Sequence, residues 1–143
     1  MNSEVEFRFI PSETILDILP LLKELNPKVS DVILSKRILE MSTQNYKCLG
    51  AFNKENLIGI CGLWFCTRHY SGRSMEPDHV IIRKDFQGQG IGEKMFEWLF
   101  EYGKANGIEA VELNTYVQNT RSHKFYYNLG YEILGYHFLK VLK

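Results

Sequence analysis

The most specific chemistry in the chain lies in Gln87-Gly88-Gln89-Gly90-Ile91-Gly92, which follows the apolar run Val80-Ile81-Ile82 and precedes a long helical pattern. Glycines at alternate positions leave backbone N–H groups uncovered. A helix starting there adds the positive end of its dipole and its unpaired first-turn donors, so the stretch is expected to hold an anion, a phosphate first of all. Just upstream, Glu76, Asp78 and His79 bring two carboxylates and an imidazole to one short segment. Farther on, Asn119, His123 and Tyr126 fall within eight residues of each other.

Composition limits what such a site serves. The chain has 143 residues, 45% hydrophobic and 24% charged, with 17 Lys and Arg balanced by 17 Asp and Glu. That length fits one domain, residues 1–143, with a real core. A formal net charge of zero argues against a nucleic-acid binder that works by counterion release, so any anion site is local. Cys48, Cys61 and Cys66 are odd in number and contain no Cys-x-x-Cys pair; they read as small buried hydrophobes in a reducing compartment, and no metal is expected. Met1 to Val5 shows no basic and apolar leader pattern, and no run of about 18 apolar residues occurs, so no membrane partner and a cytoplasmic location are expected.

The elements that must position these residues follow from periodicity. Val5–Ile10 alternates as a strand. A helix with Ile15, Leu16, Ile18, Leu19, Leu22 and Leu25 inside should be kinked or split by Pro20, and Ser30 or Asp31 should cap a second helix with Ile33, Leu34, Ile38 and Met41 inside. Tyr46–Phe52 and Leu57–Thr67 read as a hairpin around Asn53-Lys54-Glu55-Asn56, and Arg68–Arg73 as a polar loop. Ser74–Ile82 is a strand in which Pro77 marks an edge, a bulge or a splayed position, while Gly59 and Gly62 suggest a bulge or close backbone approach. A helix from about Gly90 to Asn106, a strand at Ile108–Thr115, a short helix capped by Asn119 or Thr120 and ended by Gly130, and a strand at Tyr131–Leu142 complete the chain.

Spacing separates the known phosphate loops. A Walker loop needs Gly, four residues and Gly-Lys-Ser/Thr, whereas Gly92-Glu93-Lys94-Met95 lacks that arrangement. A dinucleotide loop needs G-x-G-x-x-G directly after its strand, whereas Gly88-x-Gly90-x-Gly92 stands behind an intervening Arg83–Gln87. Gln87-x-x-Gly90-x-Gly92 instead resembles the Q/R-x-x-G-x-G/A signature of the GNAT superfamily of acetyl-CoA-dependent N-acetyltransferases. Asn119-x-x-Ser122-x-x-Phe125-Tyr126-x-x-x-Gly130-Tyr131 resembles the second motif of that family.

The resemblance implies an α/β fold with mixed α+β character: a single domain built on a central, mostly antiparallel mixed sheet of six or more strands with flanking helices, in the order β-α-α-β-β-β-α-β-α-β. It implies that Gln87, Gly88, Gln89, Gly90, Ile91 and Gly92 bind the pyrophosphate of coenzyme A, that Val80, Ile81 and Ile82 line its pantetheine arm, and that Asn119 contacts the cosubstrate or caps its helix. Acetyl-CoA would donate an acetyl group directly to a primary amine in a ternary complex. Glu76 is then the first candidate base, Asp78 the second and His79 the third, with strict alternation placing His79 on the opposite strand face. Tyr126 is the candidate acid, since a phenol pKa near 10 suits an alkyl thiolate. His123-x-Phe125-Tyr126 and His137-Phe138 resemble the small-molecule amine branch, which includes aminoalkylphosphonate acetyltransferases. The expected acceptor is therefore a small-molecule amine. A protein or peptide acetyltransferase and a non-catalytic acyl-CoA-binding regulator are the alternatives, and the aromatic C-terminal segment is compatible with a homodimer.

Overall fold

Alternation in Val5–Phe9 produces strand β1, which pairs antiparallel with β2 (Tyr46–Asn53). β2 continues the sheet into β3 (Asn56–Arg68), β3 into β4 (Gly72–Ile82), and β4 pairs in parallel with β5 (Ala110–Val111). The computed structural model describes residues 4–143; residues 1–3, part of the stretch read for a leader, lie outside the described residues. The chain divides into two compact units, Met1–Glu112 and Leu113–Lys143.

In the first unit Pro20 splits the first helical segment as expected. Ser12–Ile18 is a 3-10 turn, and helix α1 (Leu19–Leu25) begins with Pro20 in its first turn, where a missing N–H costs nothing. Helix α2 (Asp31–Met41) is capped by Ser30, whose Oγ accepts from the Ile33 N–H at 3.2 Å. Ile15, Ile18, Leu21, Leu22, Leu34 and Ile38 then pack with Tyr46, Cys48, Ile60 and Ile81 from one sheet face. The alternate positions Leu49, Cys61, Leu63 and Met75 are fully buried on the other face. Helix α3 (Ile91–Ala105) buries Met95, Phe96 and Leu99, and its Trp98 and Tyr102 pack edge-on against Phe9 at 5.5 and 5.0 Å.

Three expectations are corrected. The polar loop expected at Arg68–Arg73 is only a tip, because Arg68 still pairs with Gly72. The strand expected at Ile108–Thr115 is limited to Ala110–Val111, and residues 131–143 form no strand, so among the described residues the sheet has five strands where six or more were expected. The reason is common to both: a strand needs a ladder partner for its N–H and C=O groups, and an alternating pattern does not provide one. Ile133, Tyr136, Phe138 and Leu142 are accordingly exposed. Cys48 and Cys61 are buried as expected, whereas Cys66 is exposed.

In the second unit, helix α4 (Thr120–Asn128) is capped by Asn119 and followed by Gly130 at φ 95°.

Candidate active site

The glycine loop takes the form its residues demand. After β4, Arg83 forks onto Asp85 at 2.9 and 2.7 Å, and the Gln87 Nε2 donates to the Ile82 carbonyl at 2.8 Å, tying the loop to the end of the strand. Gly88 and Gly90 both adopt φ 77°, a conformation that costs a residue with a Cβ roughly 1–2 kcal/mol. A Cβ at either position would meet no atom within 4 Å, so the space above the loop is open. Gly90 is the N-cap of α3, and the Lys94 N–H makes the first turn's bond to its carbonyl at 3.1 Å. The N–H groups of Ile91, Gly92 and Glu93 therefore have no intrahelical acceptor and lie at the positive end of a 15-residue helix. The Ile91 side chain itself is buried, so its contribution to the loop is its backbone.

Beside the loop, β4 keeps one edge of its ladder unmatched by β5. The parallel pairing covers Ser74 and Met75, and the Glu112 N–H donates to the Met75 carbonyl at 3.1 Å. Val80, Ile81 and Ile82 pair with Cys61, Ile60 and Gly59 of β3 on the other side.

Pro77 lies next to a register shift. Cys61 pairs with Val80 and Leu63 with Pro77, so Gly62 opposes both Asp78 and His79. A bulge of this kind breaks the alternation, and it corrects the expected placement of His79. The Trp64 Nε1 donates to Asp78 Oδ2 at 3.1 Å, while His79 Nε2 lies 2.7 Å from the hydroxyl of Tyr46, a member of the same cluster as Trp64. Glu76 pairs across the ladder with Trp64, so Glu76, Asp78 and His79 share one sheet face. The neighbouring His79 imidazole, then the hydrogen bond from Trp64, holds the Asp78 carboxyl below its ordinary range against the opposing effect of burial. Burial pushes the Tyr46 phenol well above its ordinary range and the neighbouring Cys48 thiol up to about 12.

Glu76 receives an ion pair from Arg68 Nη2 at 3.1 Å. The same guanidinium lies 3.4 Å from Glu112, which also accepts from Tyr70 Oη at 2.6 Å, Ser71 Oγ at 3.4 Å and Ser74 Oγ at 3.3 Å. Donation to Glu112 raises the Tyr70 phenol. Sequence reasoning missed Glu112 and Tyr46. Each is one position within an expected strand, Ile108–Thr115 and Tyr46–Phe52, and no local signal joins either to β4.

In the second unit, Asn119 Oδ1 accepts from the Ser122 N–H at 3.3 Å, which is the capping role expected of it. His123 Nε2 lies 2.9 Å from the Tyr116 carbonyl. Tyr126 is half-buried between the rings of Phe125 and Tyr131, at 5.3 and 5.7 Å, and Tyr127 is exposed. Among the described residues no three His, Cys, Asp or Glu side chains are placed to hold a metal ion, and no helix is long and apolar enough to cross a membrane.

Over 74 residues, 52% of this chain and 48% of the relative, the sequence is 28% identical to an aminoalkylphosphonate N-acetyltransferase of Salmonella typhimurium. The match thus spans about half the length of that curated relative. The fold is similar to that of an aminoglycoside N-acetyltransferase, AAC(6')-Iy in complex with CoA, with a TM-score of 0.84 and 16% identity over 100% of this chain and 97% of that one. It is also similar to a ribosomal-protein-alanine N-acetyltransferase of Brucella melitensis biovar Abortus 2308, with a TM-score of 0.81 and 17% identity over 96% and 99% of the two chains. Residues 15–131, which include β4, the glycine loop, α3 and α4, match the acetyltransferase (GNAT) family as a whole, and the chain belongs to that family.

Proposed function

We propose that the protein is an acetyl-CoA-dependent N-acetyltransferase that transfers an acetyl group to a primary amine of a small molecule by direct attack in a ternary complex. The observation that carries this reading is the pair of left-handed glycines, Gly88 and Gly90, under open space at the N-terminus of α3. Backbone donors arranged in this way hold a pyrophosphate without any net positive charge on the protein. In this reading the loop from Gln87 to Gly92 takes the pyrophosphate of coenzyme A. Val80, Ile81 and Ile82 take the pantetheine arm as an added strand, on the side where pairing with β5 stops at Met75.

Acetyl-CoA supplies the acyl group as a thioester. The remaining work falls to side chains of this chain. An alkylammonium is protonated at neutral pH and must lose a proton before its nitrogen can attack. Glu76 is the first proposed acceptor of that proton and Asp78 the second, both carboxylates of one sheet face. Tyr126 is the proposed donor to the leaving thiolate, and Asn119 a proposed contact of the cosubstrate. The small-molecule acceptor is supported by the relation to an aminoalkylphosphonate N-acetyltransferase.

The test is release of free thiol from acetyl-CoA against a panel of aminoalkylphosphonates, polyamines, aminoglycosides, amino acids and peptides. Turnover with a small amine is the expected result. Turnover with peptides alone would replace the small-molecule reading by a protein acetyltransferase, and tight acetyl-CoA binding with no turnover on any amine would indicate a regulatory domain.

A further inference from the structure

Tyr46 on β2 and His79 on β4 are separated by a whole strand, yet their side chains meet. The phenol reaches across β3 at Gly62 and places its hydroxyl 2.7 Å from His79 Nε2. Both residues are only 6% exposed. On the far side of the imidazole, Nδ1 lies 3.6 Å from Asp78 Oδ2, the oxygen that also receives Trp64 Nε1. The Asp78 side chain is 50% exposed. A buried phenol, a buried imidazole and a half-exposed carboxylate thus stand in line, and the acyl transfer described above uses only the last of them.

Burial keeps the hydrogen on the Tyr46 phenol, which lies beside two partners, His79 Nε2 at 2.7 Å and the Cys48 thiol. With Nε2 accepting, a neutral imidazole carries its proton on Nδ1, the nitrogen facing Asp78. A phenylalanine at position 46 would fill the same space without the cost of burying a hydroxyl, so the hydroxyl has to be explained by what it bonds. The titratable groups that act on Asp78 are Tyr46 on β2, Cys61 on β3 and His79 on β4, and helix α1, which packs against β4, carries Lys23 and Glu24. Lys23 is occupied by Asp31 at 3.2 Å and by the Val29 carbonyl. Among the described residues, then, no Lys or Arg pairs with Asp78.

We propose that Tyr46 and His79 are positioning residues: through the chain Tyr46–His79–Asp78 they orient the half-exposed carboxylate to receive the ammonium group of the acceptor amine. This rests on the amine acetyltransferase reading. Asp78 is the group that touches substrate, and Tyr46 acts on it only through the imidazole. Gly62 is part of the device, because a Cβ there would collide with the His79 ring and stand 2.7 Å from Tyr46 Oη.

The test combines a magnetic-resonance measurement with a kinetic one on the whole chain. Long-range 1H–15N spectra of 15N-histidine-labelled protein at pH 7.5 are expected to show His79, assigned by the signals lost in His79→Gln, with its proton on Nδ1. Tyr46→Phe is expected to mix the two tautomers. With acetyl-CoA and 2-aminoethylphosphonate, spermidine or kanamycin, whichever turns over, it should raise the amine KM about tenfold, the loss of one charge-assisted hydrogen bond, with kcat within about twofold. His79→Gln should raise KM in the same way if Tyr46→Phe is too unstable to assay. Calorimetric acetyl-CoA affinity should be unchanged in both variants. A His79 proton on Nε2 in the wild-type protein, or an unaltered amine KM in the variants, overturns the proposal. Absence of acetyl-CoA binding by the wild-type chain is read separately; it sinks the acetyltransferase reading and the proposal with it.

Discussion

The imidazole of His79 fills the space that a side chain on Gly62 would need, so a glycine on β3 and a histidine on β4 occupy one site between them. The register shift that sets two β4 residues against Gly62 is what turns the ring into that space. Stability, pH response and binding should all depend on this relationship.

Gly62→Ala should therefore lower the unfolding free energy by about 1–3 kcal/mol, the usual cost of overpacking a filled site. Urea denaturation followed by fluorescence of the two tryptophans measures it. An unchanged midpoint would mean that the ring swings away freely and that the Tyr46 bond does not hold it.

Gly90→Ala separates backbone strain from crowding. No atom lies within 4 Å of the added methyl, but φ 77° is unfavourable for alanine, so a loss of about 1 kcal/mol in stability is expected. A bulkier acidic change, Gly88→Asp, should cost little more in folding while weakening acetyl-CoA at least tenfold, because it puts a carboxylate into the proposed phosphate space. Titration calorimetry with coenzyme A reads the difference; equal affinity would place the pyrophosphate elsewhere.

Asp78 predicts the direction of an acid response. Its folded-state pKa lies below the ordinary carboxylate value, through the neighbouring His79 imidazole and then the Trp64 hydrogen bond. The stability it contributes is therefore present above the ordinary aspartate range and is lost as pH falls through the lower folded value. Asp78→Asn should be less stable than the wild type at pH 7, and the gap should close as denaturation is repeated towards pH 3. A gap independent of pH would assign the loss to packing.

Tyr126→Phe tests the proposed acid. Removing a general acid costs typically 10²–10⁴-fold, so kcat should fall by about two orders of magnitude or more while coenzyme A affinity changes little. Unchanged turnover would leave Tyr126 with its ring contacts to Phe125 and Tyr131 alone.

Much of the molecule is local physics and is legible from the residues. Gly88, Gly90 and the apolar spacing of Ile91, Met95 and Leu99 announce a left-handed turn and an amphipathic helix, because φ preference and a 3.6-residue period act within a few positions. Ser30 or Asp31 and Asn119 or Thr120 likewise announce caps, which Ser30 and Asn119 supply, and Pro20 announces its break. The family resemblance is carried by these local features too. Pairing is not local. The alternation in Ile108–Thr115 and Tyr131–Leu142 looks like strand, yet only Ala110–Val111 finds a partner on β4. Nor does alternation predict the face of His79, since one extra residue in β4 opposite Gly62 moves it beside Asp78. The bond from Tyr46 to His79 spans 33 positions and exists only because β3 carries no side chain between them. Residue types and short-range spacing determine which chemistry this chain holds, whereas strand register and the close approach at Gly62 decide which of its side chains share it.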